Sequence, residues 1–258
     1  MTMRFLAIAL TAAPLFAQTG LEAVSIRPAD ASARGMTIHG GPGSSDPGLV
    51  TMRNIDLFSL VAMAWGLPRY QLSAPDWLNS TRFDISARVP QGIDLDQYRR
   101  TLQSMLAERY HLATHHESRE MRIYDLTVAK DGPKFKQSRS QPATADGLQP
   151  PPTHAVPPTA SYHGPLFLNL PAISMPRLAE YLSGFLGAPI NDATSLQGDY
   201  EIHLRTVFGG TSPEPTADGA SLTVFDALPE QLGLRLVSKK AQVDVLVVDR
   251  MEKSPTEN

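Results

Sequence analysis

Four stretches of this sequence occur twice, in the same order and 117 to 122 residues apart, so the chain has to place two similar sets of elements. In the first pair, Asn54 to Pro68 (NIDLFSLVAMAWGLP) lies over Met175 to Pro189 (MPRLAEYLSGFLGAP). Leu57 falls on Leu178, Leu60 on Tyr181, Val61 on Leu182, Gly66 on Gly187 and Pro68 on Pro189. Apolar residues at helical spacing, followed by a glycine able to take the left-handed cap conformation, predict an amphipathic helix in each. Asp56 and Ser174 suit the two N-cap positions.

The second pair is FDISARV (Phe83 to Val89) and YEIHLRT (Tyr200 to Thr206), whose alternation predicts strands with one buried face. In the third, the capping-box pattern Asp94-x-x-Gln97 opens a helix with Leu95, Tyr98, Leu102, Met105 and Leu106 on one face. Its counterpart around Leu228, Glu230, Leu232 and Leu234 is shorter, and Pro229 requires that helix to start near Asp226. The fourth pair, IYDLTVAK (Ile123 to Lys130) and VDVLVVDR (Val243 to Arg250), predicts a closing hairpin in each half. An opening strand, Leu21 to Pro28, joins one of the sheets. The expected fold is α+β, with two tandem βαββαββ-like modules whose small sheets each carry two helices.

Composition fits that size of object. At 258 residues and 42% hydrophobic, the chain can bury one large core or two small ones. Three segments rich in Pro, Gly and Ser read as loops: Arg34 to Gly48, Asp131 to Pro165 and Gly209 to Gly219. The expected division is a first module over 21–130, a Pro-rich linker over 131–165, a second module over 166–250 and a tail over 251–258. Residues 1–17 read as a signal peptide, with basic Arg4, an apolar run from Phe5 to Phe16 and small Ala17 before Gln18. The mature chain is therefore expected to be exported, to the periplasm or the medium. It contains no cysteine, which excludes a disulfide framework, thiolate catalysis and cysteine-bound zinc. No later stretch approaches the roughly 20 apolar residues of a membrane span. A net charge of −3 offers no attraction to nucleic acid or to an anionic membrane.

Almost the whole mature chain resembles a soil-associated, acidobacterial-type bacterial family of unknown function. The resemblance is carried by EAVSIRP, RGMTIHGGPGSSDPG, PRYQLSAPDWLNSTRFDISARVP, LAERYHLATHHESREMRIYDLTVAKDGPKFK and the tail from VFDALPEQLGLRLVSKK to its end. In some relatives such a domain follows a BlaR-type membrane metallopeptidase, which implies a sensing role there. Each half, through LAEYLSGFLGAPI, LQGDYEIHL, ALPEQLGLRLV and VDVLVV, is also similar to the short N-terminal domain shared by secretins and TonB-dependent receptors. That resemblance implies docking of other proteins and transfers no functional residue.

Candidate sites are sparse. His115, His116 and Glu117, with His111, form the densest group of possible ligands, but on a strand His115 and His116 point to opposite faces, and no H-E-x-x-H is present. His39-Gly40-Gly41-Pro42-Gly43 has the look of an esterase oxyanion loop, yet the chain lacks a G-x-S-x-G nucleophile elbow. Asp84 and Glu201 match in the two halves, as do Arg88 and Arg205, a pattern that suits cross-strand charge pairing. Trp65 and Trp77 suit either core packing or a ligand groove. No catalytic residue, metal or cofactor is assigned. The expected function is a non-catalytic module that binds or senses an envelope or extracellular protein or ligand, with His115, His116, Glu117, Trp65 and Trp77 as candidate contacts. The alternative is an exported hydrolase with a site formed across the two modules.

Overall fold

The computed structural model describes residues 20–138, 164–208 and 222–256, so the expected signal peptide, most of the Pro-rich linker and the Gly209 to Gly219 loop lie outside the described residues. In chain order the elements are β1 (Glu22–Pro28), β2 (Thr37–Gly40), β3 (Leu49–Asp56), α1 (Leu57–Trp65), β4 (Leu72–Ser73), β5 (Arg82–Arg88), α2 (Leu95–Tyr110) and β6 (Ala113–Val128). They continue with β7 (Lys136–Gln137), β8 (Gly164–Ser174), α3 (Met175–Leu186), β9 (Ile190–Asp192), β10 (Asp199–Phe208), α4 (Val224–Ala227) and β11 (Leu234–Arg250). The fold is α+β, with sheets in the orders β1-β5-β3-β2, β7-β10-β8 and β4-β11-β6-β9.

Local chemistry sets the helix ends. The buried Asp56 carboxylate caps α1, accepting from the Ser59 amide at 2.8 Å, and Gly66 ends the helix at φ 64°. The capping box of α2 is complete, with Gln97 N donating to Asp94 at 2.7 Å and Asp94 N donating to Gln97 Oε1 at 2.9 Å. Ser174 occupies the N-cap of α3 without a side-chain bond, and Pro176 sits in the first turn. The Pro229 helix starts at Val224, close to where the proline requires, and passes into one π-helical turn, Leu228–Leu232.

The ends of the two halves differ from the hairpins the sequence predicts. Each predicted pair of strands is one continuous strand, and these two long strands pair with each other, from Ala113 against Arg250 to Val128 against Leu234. The reason lies in the middle of each stretch. His115 to Arg122 and Ser238 to Asp244 contain no Gly, Pro or Asn to make a reverse turn, so the backbone runs straight through.

This ribbon interleaves two cores. The core under α1 and α2 is built on β3 and β5 but takes in Leu246 and Val248 of β11. The core under α3 and α4 is built on β8 and β10 but takes in Leu126 of β6. Short strands follow the same exchange: β4 runs parallel to β11, with Leu72 opposite Leu246, and β9 runs parallel to β6, with Ile190 opposite Tyr124. The segments leaving the long strands then satisfy carbonyls at the far helix ends, groups that a helix leaves unpaired. Glu252 N donates to Tyr110 O at 2.8 Å, and Lys134 N donates to Leu232 O at 3.0 Å.

Tyr110 is fully buried, packed edge-on against Phe83, and its hydroxyl has no hydrogen-bond partner among the described residues. Burial pushes its pKa up. Leaving such a group unpaired costs free energy, so Tyr110→Phe is expected to raise stability, by up to about 1 kcal/mol in urea unfolding. A loss of more than that amount would mean the hydroxyl is bonded.

Candidate functional site

The histidines fall on the ribbon where β6 lies against the end of β11. Being consecutive on a strand, His115 and His116 face opposite sides, and each meets a different carboxylate. His115 Nδ1 lies 2.8 Å from Asp249, and His116 Nδ1 lies 2.7 Å from Asp244. His111, at the left-handed C-cap of α2, is 3.1 Å from Glu252. Glu117 accepts from Arg119 at 2.9 Å, a bond that lowers its pKa, and the same guanidinium donates to Ser73 at 3.0 Å. All of these pairs are largely solvent-exposed, where ion pairs add little to stability. Ser118, two residues from His116 on the same face, donates its hydroxyl to Gln242 at 3.1 Å. Among the described residues no group of three or more His, Asp or Glu side chains could hold a metal ion.

Trp65 and Trp77 are both partly buried against the first core, and Lys253 Nζ stands 5.5 Å from the Trp77 ring centre. The structure places His115, His116 and Glu117 on the ribbon and both tryptophans against the first core. A pocket of about 200 Å³ between the start of β1 and α2 is lined by Leu21, Val24, Thr101, Met105 and Glu108 among others, and contains none of these residues.

The glycine loop is closed on itself. Gly41 N donates to Asp46 O at 3.0 Å and to Leu49 O at 2.9 Å, and Ser44 N donates to Gly41 O at 3.1 Å, so these amides are engaged within the loop. Gly40, at φ 78°, lies so close to the backbone that a Cβ there would sit 1.9 Å from Leu49 O. Asp84 forms a cross-strand pair with Arg53 at 2.9 Å. Its pKa is lowered, first by the bond from Asn54 N and then by Arg53. Glu201 pairs with His203 at 2.9 Å, while the Arg205 guanidinium stands 5.0 Å over the Phe167 ring.

Phe167 marks a feature that residue patterns did not point to. β8 is the terminal strand of its sheet, and among the described residues nothing pairs with its outer edge. Phe167 is the most exposed large apolar side chain among the described residues, at 61%. The opposite edge of this sheet is protected: β7 covers Tyr200 and Glu201, and the Gln231 side chain covers Arg205. Gln231 accepts from Arg205 N at 2.9 Å and donates to Arg205 O at 2.7 Å, as a neighbouring strand would. Other terminal strands are short or irregular: β2 has four residues, and β1 has a register break and a positive φ at Ala23. β8 keeps one register against β10 from Gly164 to Leu170, and an edge that is regular over that length invites strand pairing. None of the described helices is long and apolar enough to cross a membrane.

No curated protein and no solved structure matches the chain. A family model described as "Protein of unknown function (DUF3738)" matches residues 58–251, from α1 to just beyond β11. Since that match covers most of the chain, including the whole ribbon and much of both cores, the chain belongs to this family of unknown function.

Proposed function

We propose that this chain is an exported, non-catalytic binding module, built as a tandem repeat, that docks an envelope or extracellular protein. The observation that carries this reading is the outer edge of β8, whose backbone has no strand partner among the described residues beside the exposed Phe167. Edge addition is a common way for a folded sheet to capture an extended segment, because main-chain hydrogen bonds supply affinity and alternate side chains supply selectivity. The resemblance of each half to a docking domain of secretins and TonB-dependent receptors supports the same reading, and the sequence before Gln18 supports export. The expected protein in the periplasm or medium begins at Gln18.

The immobilised full chain is expected to retain a specific envelope protein after gentle crosslinking. Phe167→Asp should reduce that retention by about tenfold, the cost of replacing an apolar contact with a charge. Equal retention by the variant, or none by either chain, would remove the support for this reading.

The hydrolase alternative is favoured by one observation, the His116–Asp244 pair, which joins residues from the two halves. Turnover of ester, peptide or glycan substrates that is lost in His116→Gln would establish it.

A further inference from the structure

We propose that the outer edge of β8 is a berth for one extended segment of a partner polypeptide, entering antiparallel to β8 in the register that β2 takes on β3. This rests on the binding-module reading and gives it a geometry and a ligand chemistry.

β3 and β8 precede α1 and α3 in the same way. Leu49-Val50-Thr51-Met52 corresponds to Phe167-Leu168-Asn169-Leu170, a shift of 118 residues. Both strands carry the same irregularity. The β3–β5 register passes from Met52 opposite Ile85 to Ile55 opposite Phe83, and the β8–β10 register passes from Leu170 opposite Ile202 to Ile173 opposite Tyr200. Val50 and Leu168 are buried at matching positions, and Leu49 and Phe167 are both exposed, at 40% and 61%. The far edges match as well, since β1 runs antiparallel to β5 and β7 runs antiparallel to β10. The difference is β2, which pairs with β3 and has no counterpart beside β8 among the described residues.

The direction of the free groups follows from Gln231. Its side chain takes both the N–H and the C=O of Arg205, so those groups point away from β8. Arg205 stands directly opposite Phe167. In an antiparallel ladder, opposed residues either exchange both bonds or turn both away. Phe167 therefore directs its N–H and C=O to the open edge, and Asn169, two residues on, does the same. β3 has the same polarity: the Leu49 carbonyl accepts from Gly41 N on the β2 side, while the Gly48 carbonyl accepts from Val89 N on the β5 side.

The register of β2 describes the occupant. Ile38 stands opposite Met52, His39 opposite Thr51 and Gly40 opposite Val50. Transposed to β8, an apolar residue faces Leu170, a polar one Asn169 and a small one Leu168. Pro171 has no N–H to offer, which ends the berth on that side. Arg205 over Phe167 disfavours a Lys or Arg at the other end.

The test uses the intact chain and a synthetic peptide copying Met36 to Gly41, followed by amide NMR. The amides of Phe167 and Asn169 are expected to shift saturably. Asn169→Ala should keep the binding and Asn169→Pro should weaken it by about tenfold, the effect of one lost main-chain bond, with little change in melting. A second probe needs no protein variant: N-methylation of the peptide at its His39 position, whose N–H faces β8, should abolish binding, and N-methylation at its Ile38 position should not. No saturable shift at millimolar peptide, or equal binding by both methylated peptides, would overturn the berth. Concentration-dependent self-association that shifts Phe167 would assign the edge to a second copy and overturn it too. Any of these failures would leave the broader binding reading standing, since that reading fails on the envelope-capture result.

Discussion

A chain cut once within residues 139–163 is expected to remain a single particle, its two fragments co-eluting at the mass of the intact protein and separating only in denaturant. The two halves are joined far more extensively by the ribbon than by the covalent link. β6 and β11 pair along their lengths, β4 and β9 each add to the other half's long strand, and each core contains apolar residues from across the cut. Leu126, Leu246 and Val248 are nearly or fully buried in the opposite cores. Full burial of such a side chain is worth about 1.5–3 kcal/mol, and a micromolar complex requires about 8 kcal/mol in all. Those three contacts together with the ladder meet that need. Fragments that eluted separately, each cooperatively folded, would contradict this arrangement.

Gly233→Ala is expected to cost about 3 kcal/mol or more, or to abolish folding. Gly233 ends the π-helical turn at φ 63°, and a Cβ there would sit 1.9 Å from Gly132 O. The left-handed conformation costs a residue with a Cβ about 1–2 kcal/mol, and relieving such an overlap adds about 1–3 kcal/mol. Gly132 cannot yield freely, because Ala129 N donates to Gly233 O at 2.8 Å and Lys134 N donates to Leu232 O at 3.0 Å on either side of it. Gly187→Ala is the control: its φ of 66° is similar, but the added Cβ meets nothing within 4 Å. That substitution should cost only the conformational part, about 1–2 kcal/mol. Equal losses for both, measured by urea unfolding, would show that conformation alone and not crowding sets the requirement for glycine at position 233.

Much of the fold was legible from residues. Asp56, Asp94 with Gln97, Gly66 and Gly187 define helix ends through short-range chemistry, and the structure places them at those ends. The strands before α1 and α3 were harder to see. Their alternation is broken at Asn54, which takes φ 52° in the bulge of β3, and at Pro171, which reads as a strand breaker. The ribbon was hidden for a different reason. Strand propensity predicts extended backbone over Ile123 to Lys130 and Val243 to Arg250, but which strand partners which depends on contacts more than a hundred residues apart. The opposed directions of His115 and His116 followed from strand alternation, whereas their carboxylate partners Asp249 and Asp244 come from that distant pairing. The β8 edge escaped for the same reason: side-chain patterns report which face is buried, not which backbone groups are paired.

Amide hydrogen exchange of the free, monomeric chain tests the central claim, that β8 presents an unpaired edge, by comparing Asn169 with Thr51. The two residues occupy matching positions in β8 and β3, and Thr51 stands opposite His39 of β2. Asn169 is expected to exchange about a hundredfold faster than Thr51, because exchange at Thr51 requires local opening of the β2–β3 pair. Asn169 exchanging as slowly as Thr51 would mean the edge is already occupied and would contradict the account.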